Sequence, residues 1–294
     1  MNAICNDLKT RKKITLTKKG KRTLACYLLL ALPIIGFFVF TLYPIIWCIR
    51  LSWFSYTGIP SETKFVGWQN FVTLFTEDTS YWRSWIMTLQ FGLIKMPIEM
   101  VISFITAYIL CRELKGSNIF RSIYYLPCIF SVAIVGLVFS NIFDYFGVIN
   151  AMLKQMHIIS EGIEWYATKR NAMLTLLLAG MWCSVGTNIL YMMAALSNVP
   201  KELYESADID GASSLQKITK ITIPMILPML EIILLLGING CLQLNEFILV
   251  MTNGAPAGKT YTVASYLTSR IVPGFASMSN IGYASCMSLV TSVI

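Results

Sequence analysis

Residues 196–224 read LSNVPKELYESADIDGASSLQKITKITIP and form a polar, acidic island between two long apolar runs. Pro200 suits the first turn of a helix, because its missing N–H would have no partner there. Gly211 can take the left-handed conformation that ends a helix, and Ser213 or Ser214 can cap a second helix. The segment therefore predicts two short amphipathic helices hinged at a glycine. Held at the face of a membrane, such a hairpin would be a docking surface for a soluble partner.

The chain around this island has the composition of an integral membrane protein. Of its 294 residues, 56% are hydrophobic and 13% are charged, and the mean hydropathy is +0.64; a soluble domain carries about 25% charged residues. The net charge of +8 does not indicate a nucleic-acid partner, because eight of the 23 Lys and Arg residues precede residue 23, next to the first apolar run. A cluster placed there orients the chain in the membrane and attracts anionic lipid head groups.

Six apolar runs are candidates for membrane spans, since a helix needs about 20 apolar residues to cross the hydrocarbon core. The predicted spans are 24–49, 85–110, 122–143, 172–195, 225–250 and 281–294. The predicted fold is therefore an all-α, polytopic transmembrane bundle, with a basic tail at 1–23, a membrane domain at 24–294 and the 196–224 hairpin between spans 4 and 5. Pro224 is expected to break or kink the chain where it re-enters the membrane.

The last predicted span is short. Its 14 residues would make about 21 Å of helix, against a hydrocarbon core of about 30 Å. Either the chain is truncated or its neighbours shelter this helix. The lack of a basic tail after it favours truncation.

The distribution of positive charge predicts the orientation. The 1–23 tail, the 111–121 loop and the 196–224 hairpin hold fourteen Lys and Arg residues, whereas the connections on the other side hold seven. Because positive loops stay in the cytoplasm, the N-terminus and the hairpin are both predicted to be cytoplasmic.

Polar residues inside the spans are candidates for a solute pathway. Asn239, Gln243 and Glu246 are spaced i, i+4 and i+7 in the fifth span, which predicts one shared helical face. Such groups usually face a bundle interior or a wet cavity, so this face either binds a polar solute or joins helices by hydrogen bonds. Trp182 and Asn188 of the fourth span are too far round for one tight face, but they could line the same cavity.

One charged pair lies within a span. Lys95 and Glu99 are four residues apart in the second span, beside Pro97. Opposite charges at this spacing meet on one side of a helix. We expect them to neutralise each other rather than to contact a solute.

The hairpin resembles the signature loop of binding-protein-dependent ABC importer permeases, which reads Glu-Ala-Ala, three residues, Gly, nine residues, Ile-x-Leu-Pro. This chain has matching residues at that spacing: Glu205, Ala207, Gly211, Ile221 and Pro224. Ser206 and Ile223 are mild departures. The surrounding segment from 199 to 213, which includes Asp210, is similar to the sugar-importer branch of the maltose, multiple-sugar and glycerol-phosphate type. Shorter matches extend the resemblance to nearly the whole chain: GWQNF at 67–71, FRS at 120–122 with LP at 126–127, and GYAS at 282–285.

The resemblance implies a multi-pass permease subunit of a bacterial cell membrane with a six-helix core. Such a subunit pairs with a second permease, two cytoplasmic ATPases and an extracytoplasmic solute-binding protein, and it carries a sugar or a related polyol. The helix that carries Glu205 and Ala207 would sit in a cleft of one ATPase, with Gly211 as the hinge. ATP would be hydrolysed by the partner subunits, and this chain would bind no cofactor.

The sequence itself predicts a transport subunit rather than an enzyme. The segment GAPAGKT at 254–260 has three residues between its glycines, whereas a phosphate-binding loop needs four. The sequence offers no paired carboxylates, nucleophile elbow or His/Cys metal cluster. Two other classes stay open on the residues alone: an ion-coupled secondary transporter of a small polar solute, and a structural membrane scaffold. The first often has repeated halves, and no clear internal repeat is present.

Overall fold

The computed structural model of the chain describes residues 18–111, 117–271 and 280–294, most of which are helical. The helices are α1 (Lys18–Phe37), α2 (Tyr43–Leu51), α3 (Gln69–Thr76), α4 (Thr79–Leu110), α5 (Ser117–Ile129), α6 (Val132–Ile142), α7 (Val148–Gln155), α8 (Lys169–Ser197), α9 (Lys201–Ile209), α10 (Ser214–Lys217), α11 (Ile223–Leu242), α12 (Glu246–Met251), α13 (Val263–Ile271) and α14 (Ile281–Val293). One antiparallel pair joins β1 (Phe54–Ser55) to β2 (Lys64–Phe65). This is the all-α class that the sequence predicts. Most of the predicted tail, and Arg112 and Lys115 of the 111–121 loop, lie outside the described residues.

Four described stretches are long and apolar enough to cross a membrane: Ala25–Leu51, Thr79–Leu110, Lys169–Ser197 and Ser214–Leu242. The α5–α6 pair makes a fifth if it is one bent span. The first stretch has no buried residue in its most apolar window, so its apolar side chains are left for lipid or for a partner. Asp78 caps the start of α4, and Thr168 caps the start of α8, each by accepting a hydrogen bond from a backbone N–H.

The prediction of one span at 122–143 is wrong in its shape. Helices α5 and α6 meet at an angle of 94° with a break of two residues between them. Pro127 has no N–H for the α5 ladder, and Ser131 has the extended backbone of a helix start. The chain therefore ends one helix and starts another in the middle of this apolar run.

The prediction for the fifth span is wrong at both ends. The helix does not begin at residue 225, and Pro224 does not break it: α10 continues through a π-helical turn at Ile218–Thr222 into α11, so the second hairpin helix and the membrane helix are one rod. In that turn the Ile223 N–H bonds to the Ile218 carbonyl, and the wider turn makes room for the proline ring that follows. The span also ends at Leu242 rather than continuing to 250, because residues 243–245 are not helical.

The last helix is as short as predicted. Helix α14 has 13 residues, and Asn280 caps it by accepting a hydrogen bond from the Tyr283 N–H at 3.1 Å. Five residues of its first half are buried: Gly282, Ala284, Ser285, Cys286 and Met287. This burial agrees with the alternative in which neighbouring helices shelter the last helix, and it does not test the truncation that the sequence favours.

A cluster around Asp78 holds α13 and α14 against the start of α4. The Asp78 carboxylate accepts hydrogen bonds from the Tyr266 hydroxyl at 2.9 and 3.0 Å and from the Tyr283 hydroxyl at 2.9 Å. Arg270 donates to the Tyr266 hydroxyl at 2.8 Å. Burial, together with the neighbouring Asp78 charge, raises the pKa of Tyr266 to about 12, so this hydroxyl keeps the proton that it donates.

Two apolar clusters pack α4 against α8. The first contains Phe91 of α4 with Leu176 of α8, and the second contains Ala107 of α4 with Met192 of α8. Helix α5 also approaches α8 closely at Gly186, where an added Cβ would lie 2.1 Å from the backbone oxygen of Tyr124 in α5.

Candidate functional site

A cavity of about 720 Å³ lies beside the first apolar cluster, whose Phe91, Cys241 and Phe247 belong to its lining. Helices α4, α8 and α11 form its walls, and the break after α5 and the non-helical turn at 243–245 complete it. Its polar and charged lining residues are Lys95, Glu99, Ser184, Thr187, Asn188, Tyr191, Gln243, Asn245 and Glu246. A concave site of this size with a few convergent polar groups is the usual form of a small-molecule site.

An ion pair on α4 lies at the centre of the polar wall. Lys95 Nζ lies 2.7 Å from Glu99 Oε2, and the Glu99 residue is only 3% exposed. Both side chains project from the stretch of α4 between Phe91 and Ala107. A carboxylate buried this deeply needs a close cation or several donors to stay charged.

Helix α8 supplies the remaining partners of this pair. The Asn188 amide donates to Glu99 Oε1 at 2.9 Å, so each carboxylate oxygen has a donor. Lys95 also donates to Ser184 Oγ at 2.9 Å, and Ser184 in turn donates to the Gly180 carbonyl at 2.8 Å. The network therefore ties α4 to α8 at the cavity wall. A hydrogen-bonded network between two helices holds each of its polar side chains in one position.

The structure brings together three of the five predicted pathway residues. Asn188, Gln243 and Glu246 line the cavity, but Trp182 and Asn239 are not among its lining residues. Trp182 packs on the ring of an α6 phenylalanine instead, with ring centroids 5.6 Å apart. Asn239 accepts a hydrogen bond from Gln243 at 2.9 Å.

The prediction of one helical face for the fifth span is confirmed for Asn239 and Gln243, whose side chains are hydrogen-bonded, and wrong for Glu246. Because α11 ends at Leu242, Glu246 starts a new helix, and it does not continue the face of Asn239 and Gln243. Sequence reasoning also left out Lys95 and Glu99 as lining residues. The pairing that it predicted for them is confirmed. The signal that could have placed them at the cavity was a charged pair in a long apolar run beside a proline.

The first helix and the turn of the hairpin have the geometry that the sequence predicts, whereas the second helix is not short, because it continues into α11. Helix α9 ends at Ile209, and Gly211 follows with a φ of +73°, a conformation that costs other L-residues about 1–2 kcal/mol. Ser213 and Gln216 then form a reciprocal capping box at the start of α10, with bonds of 3.4 and 2.7 Å. Two backbone bonds close the turn, including that from the Ala212 N–H to the Ala207 carbonyl at 2.9 Å.

The two hairpin helices are fastened to each other. The Tyr204 hydroxyl lies 2.8 Å from Thr222 Oγ1, and Thr222 is fully buried. Lys217 pairs with Asp208 across the turn. The hairpin is therefore fixed to α11, the helix that its second arm continues.

The candidate hairpin residues divide into an inner and an outer set. Ala207 is buried, whereas Glu205, Ser206, Asp210 and Gly211 are exposed. Ile209 is 87% exposed. Ala207, Asp210, Gly211 and Ile221 line a shallow pocket of about 370 Å³, and Pro224 lies at the start of α11. An apolar tip with acidic neighbours is thus presented away from the bundle.

The cavity and the hairpin are carried by the same helices. Helix α8 bears Asn188 and ends at Ser197, four residues before α9 begins. Helix α11 is continuous with α10 and bears cavity residues such as Gly240. A movement of the hairpin would therefore be transmitted to two walls of the cavity.

The 254–260 segment does not have the context of a phosphate-binding loop. It follows helix α12 rather than a strand, and it runs as a series of turns. Thr260 is fully buried and donates to the Ala255 carbonyl at 2.7 Å. The segment folds on itself, as a loop between helices would.

Comparison with known proteins agrees with this arrangement. Residues 99–294 match the family model described as "Binding-protein-dependent transport system inner membrane component". The chain is 34% identical over 277 residues to the "Probable ABC transporter permease protein YesP" of Bacillus subtilis (strain 168), covering 93% of this chain and 87% of that protein. It is 33% identical over 251 residues to the "Lactose transport system permease protein LacF" of Rhizobium radiobacter, covering 83% of each.

Two solved structures share the fold. One is a bacterial ABC transporter involved in the import of the acidic polysaccharide alginate, with a TM-score of 0.80 at 22% identity over 94% of this chain and 92% of that one. The other, with a TM-score of 0.78, is the alginate transporter with a periplasmic protein bound to an alginate pentasaccharide. The family match, the relatives and the fold agree: this chain belongs to the family of inner membrane components of binding-protein-dependent transport systems.

Proposed function

We propose that the chain is the permease subunit of an ATP-driven importer and that its cavity carries a sugar or a related polyol. The observation that carries this proposal is the polar cavity inside the apolar bundle, connected through α8 and α11 to the exposed hairpin. The printed names of the relatives support the solute class, because they include permeases for lactose, arabinooligosaccharides and trehalose/maltose.

The finer architecture is part of this proposal. The bent α5–α6 pair would be the third span and α14 the sixth, with α14 kept from lipid by its packing on α2 and α3. The excess of Lys and Arg in the tail, the 111–121 loop and the hairpin supports a cytoplasmic N-terminus and a cytoplasmic hairpin. The membrane domain would then begin near residue 24.

The hairpin would dock on a cytoplasmic ATPase. Its exposed Ile209 would enter a cleft of that partner, flanked by Glu205 and Asp210, and Gly211 would keep the turn tight. Docking at an apolar anchor with a charged rim is a common form of protein contact. Closure of two ATPases would then pull on α8 and α11 and change the cavity.

The assembly would contain a second permease subunit, two ATPases and an extracytoplasmic solute-binding protein. The many exposed apolar side chains of α1, α2 and α11 leave room for the second permease and for lipid. ATP would be bound by the partner subunits, and this chain would need no cofactor. The family membership gives no support to an ion-coupled secondary transporter.

The test is solute uptake by the reconstituted complex. Proteoliposomes that contain this chain, its co-encoded partners and the solute-binding protein would be given a panel of neutral sugars, with ATP inside or with an ion gradient and no ATP. We expect uptake of at least one sugar with ATP alone. Uptake driven by the gradient in the absence of ATP would refute the proposal.

The docking contact has its own test. Ile209→Asp places a charge at the exposed tip without disturbing buried packing, and Ile158→Asp is a matched control because Ile158 is 61% exposed in a loop before α8. We expect the first variant to lose ATP-driven uptake and co-purification with the ATPase, and the control to keep both. Equal behaviour of the two variants would rule out docking at this tip.

A further inference from the structure

The charges that line the cavity do not balance. Among the described lining residues Lys95 is the one cation, whereas Glu99 and Glu246 are both carboxylates. The formal charge of the lining is therefore −1. An unbalanced charge in a site surrounded by apolar helices acts strongly on any charged solute, because the medium screens it poorly.

The single cation is already occupied. Lys95 Nζ donates to Glu99 at 2.7 Å and to Ser184 at 2.9 Å, and its side chain is 13% exposed. A solute carboxylate could take Lys95 only by separating it from Glu99. That exchange would leave the Glu99 charge buried without its cation, which is strongly unfavourable.

The second carboxylate has no such partner. Glu246 is exposed at the start of α12 where it borders the cavity. The ion pairs among the described residues are Lys95–Glu99 and Lys217–Asp208, so Glu246 is in neither. Its negative charge therefore acts on the contents of the cavity.

The neutral groups of the lining suit hydroxyl groups. Asn188 gives one amide proton to Glu99 and has a second proton and a carbonyl oxygen. Thr187, Tyr191 and Gln243 add groups that both donate and accept hydrogen bonds. Sugar hydroxyls have the same double character. The fold does not decide the charge of the solute, since the solved relatives with this fold import an acidic polysaccharide.

We propose that this cavity selects uncharged polyhydroxylated solutes, such as neutral oligosaccharides, and rejects uronic-acid solutes, and that the net negative charge of the lining, which Glu246 supplies while Glu99 neutralises Lys95, sets this charge selectivity. This inference rests on the proposed function and narrows its solute class. Glu99 acts here as a positioning residue, because it holds Lys95 away from the solute.

The test compares a neutral oligosaccharide with the same oligosaccharide carrying a carboxylate at C6. The neutral probe is the sugar with the highest uptake in the panel of the uptake assay. Equilibrium binding to the purified permease–ATPase complex, without the solute-binding protein, removes that protein's own selectivity. We expect the wild-type complex to bind the neutral probe at least tenfold more tightly than the acidic one.

Three variants separate charge from structure. Glu246→Gln and Glu99→Gln each make the lining neutral, and each should reduce the preference for the neutral probe at least threefold. The double variant Lys95→Met/Glu99→Gln lacks the pair but keeps the formal charge of −1, so its preference should equal that of the wild type. Because Glu246 is exposed, the Glu246→Gln variant should fold even if the variants of the buried Lys95–Glu99 pair do not.

The outcomes distinguish this inference from the proposed function. Equal binding of the two probes by the wild type, or an unchanged preference in Glu246→Gln, would overturn the charge selectivity alone. A complex that hydrolyses ATP and imports no sugar of the panel would instead refute the proposed function. A purely structural role for the pair would weaken binding of both probes equally, and that result also counts against the inference.

Discussion

Replacing Lys95 with Met should destabilise the protein more than any other single lysine change in the described spans. The variant leaves the Glu99 carboxylate, in a residue that is 3% exposed, with the Asn188 amide as its remaining donor among the described residues. Removing one member of a buried ion pair costs about 3–5 kcal/mol. The methionine recovers part of the packing of the lysine stem, so we expect a net loss of about 3 kcal/mol.

The double variant Lys95→Met/Glu99→Gln shows whether charge is the cause. It removes the uncompensated carboxylate and keeps an amide that can accept from Asn188, so its stability should lie within about 1 kcal/mol of the wild type. The two changes should therefore show a coupling energy of at least about 2 kcal/mol. Lys169→Met is the matched control, because Lys169 donates at 2.8 Å to an uncharged partner, Gln90, at an exposed site.

The assay is reversible unfolding in mixed micelles with a denaturing detergent, followed by tryptophan fluorescence. Lys169→Met should cost less than about 1 kcal/mol, as exposed polar contacts usually do. If Lys95→Met costs no more than this control, or if the double variant is as unstable as the single one, the buried pair does not stabilise the wall of the cavity and the reasoning fails.

The other predictions concern packing, the hinge and the cluster around Asp78. Gly186→Ala should lower the free energy of unfolding by about 1–3 kcal/mol, because the new Cβ would collide with the backbone oxygen of Tyr124. Gly240→Ala, where an added Cβ has nothing within 4 Å, should raise it by up to about 1 kcal/mol. Equal unfolding midpoints for the two variants would contradict this. Gly211→Asp must hold a φ of +73°, so membrane insertion should persist and uptake should be lost; full uptake would argue against the hinge. Asp78→Asn replaces one acceptor oxygen with an NH2 donor, so one tyrosine hydroxyl loses its acceptor, at a cost of about 1–3 kcal/mol. Amide hydrogen exchange in α14 should become faster, and unchanged exchange would count against the cluster.

The hairpin was predictable because its signals are local. Gly211 and Ser213 act through their own turn and cap, so a short stretch of sequence is enough to specify their conformations. The ion pair was predictable for the same reason, since Lys95 and Glu99 are one helical turn apart. Its place in a cavity wall was not, because that depends on Asn188 of another helix.

The breaks in the apolar runs were not predictable from hydropathy. Residues 122–143 and 225–250 are apolar enough to read as single helices, yet the first bends by 94° and the second ends at Leu242. Pro224 shows the opposite error: a π-helical turn before it accommodates the ring, so the helix continues. Such local adjustments depend on packing around the backbone and leave little trace in composition.

The central claim is that the hairpin couples an ATPase to the cavity, and a cross-link at its tip tests it most directly. Ile209→Cys, labelled in membranes with a photoreactive maleimide, should form a cross-linked product with the co-encoded ATPase. That product should be missing from membranes that lack the ATPase. Ile158→Cys, labelled in the same way, should form no such product. A tip that is labelled only from the external side of sealed cells, or that never reaches the ATPase, would contradict the account.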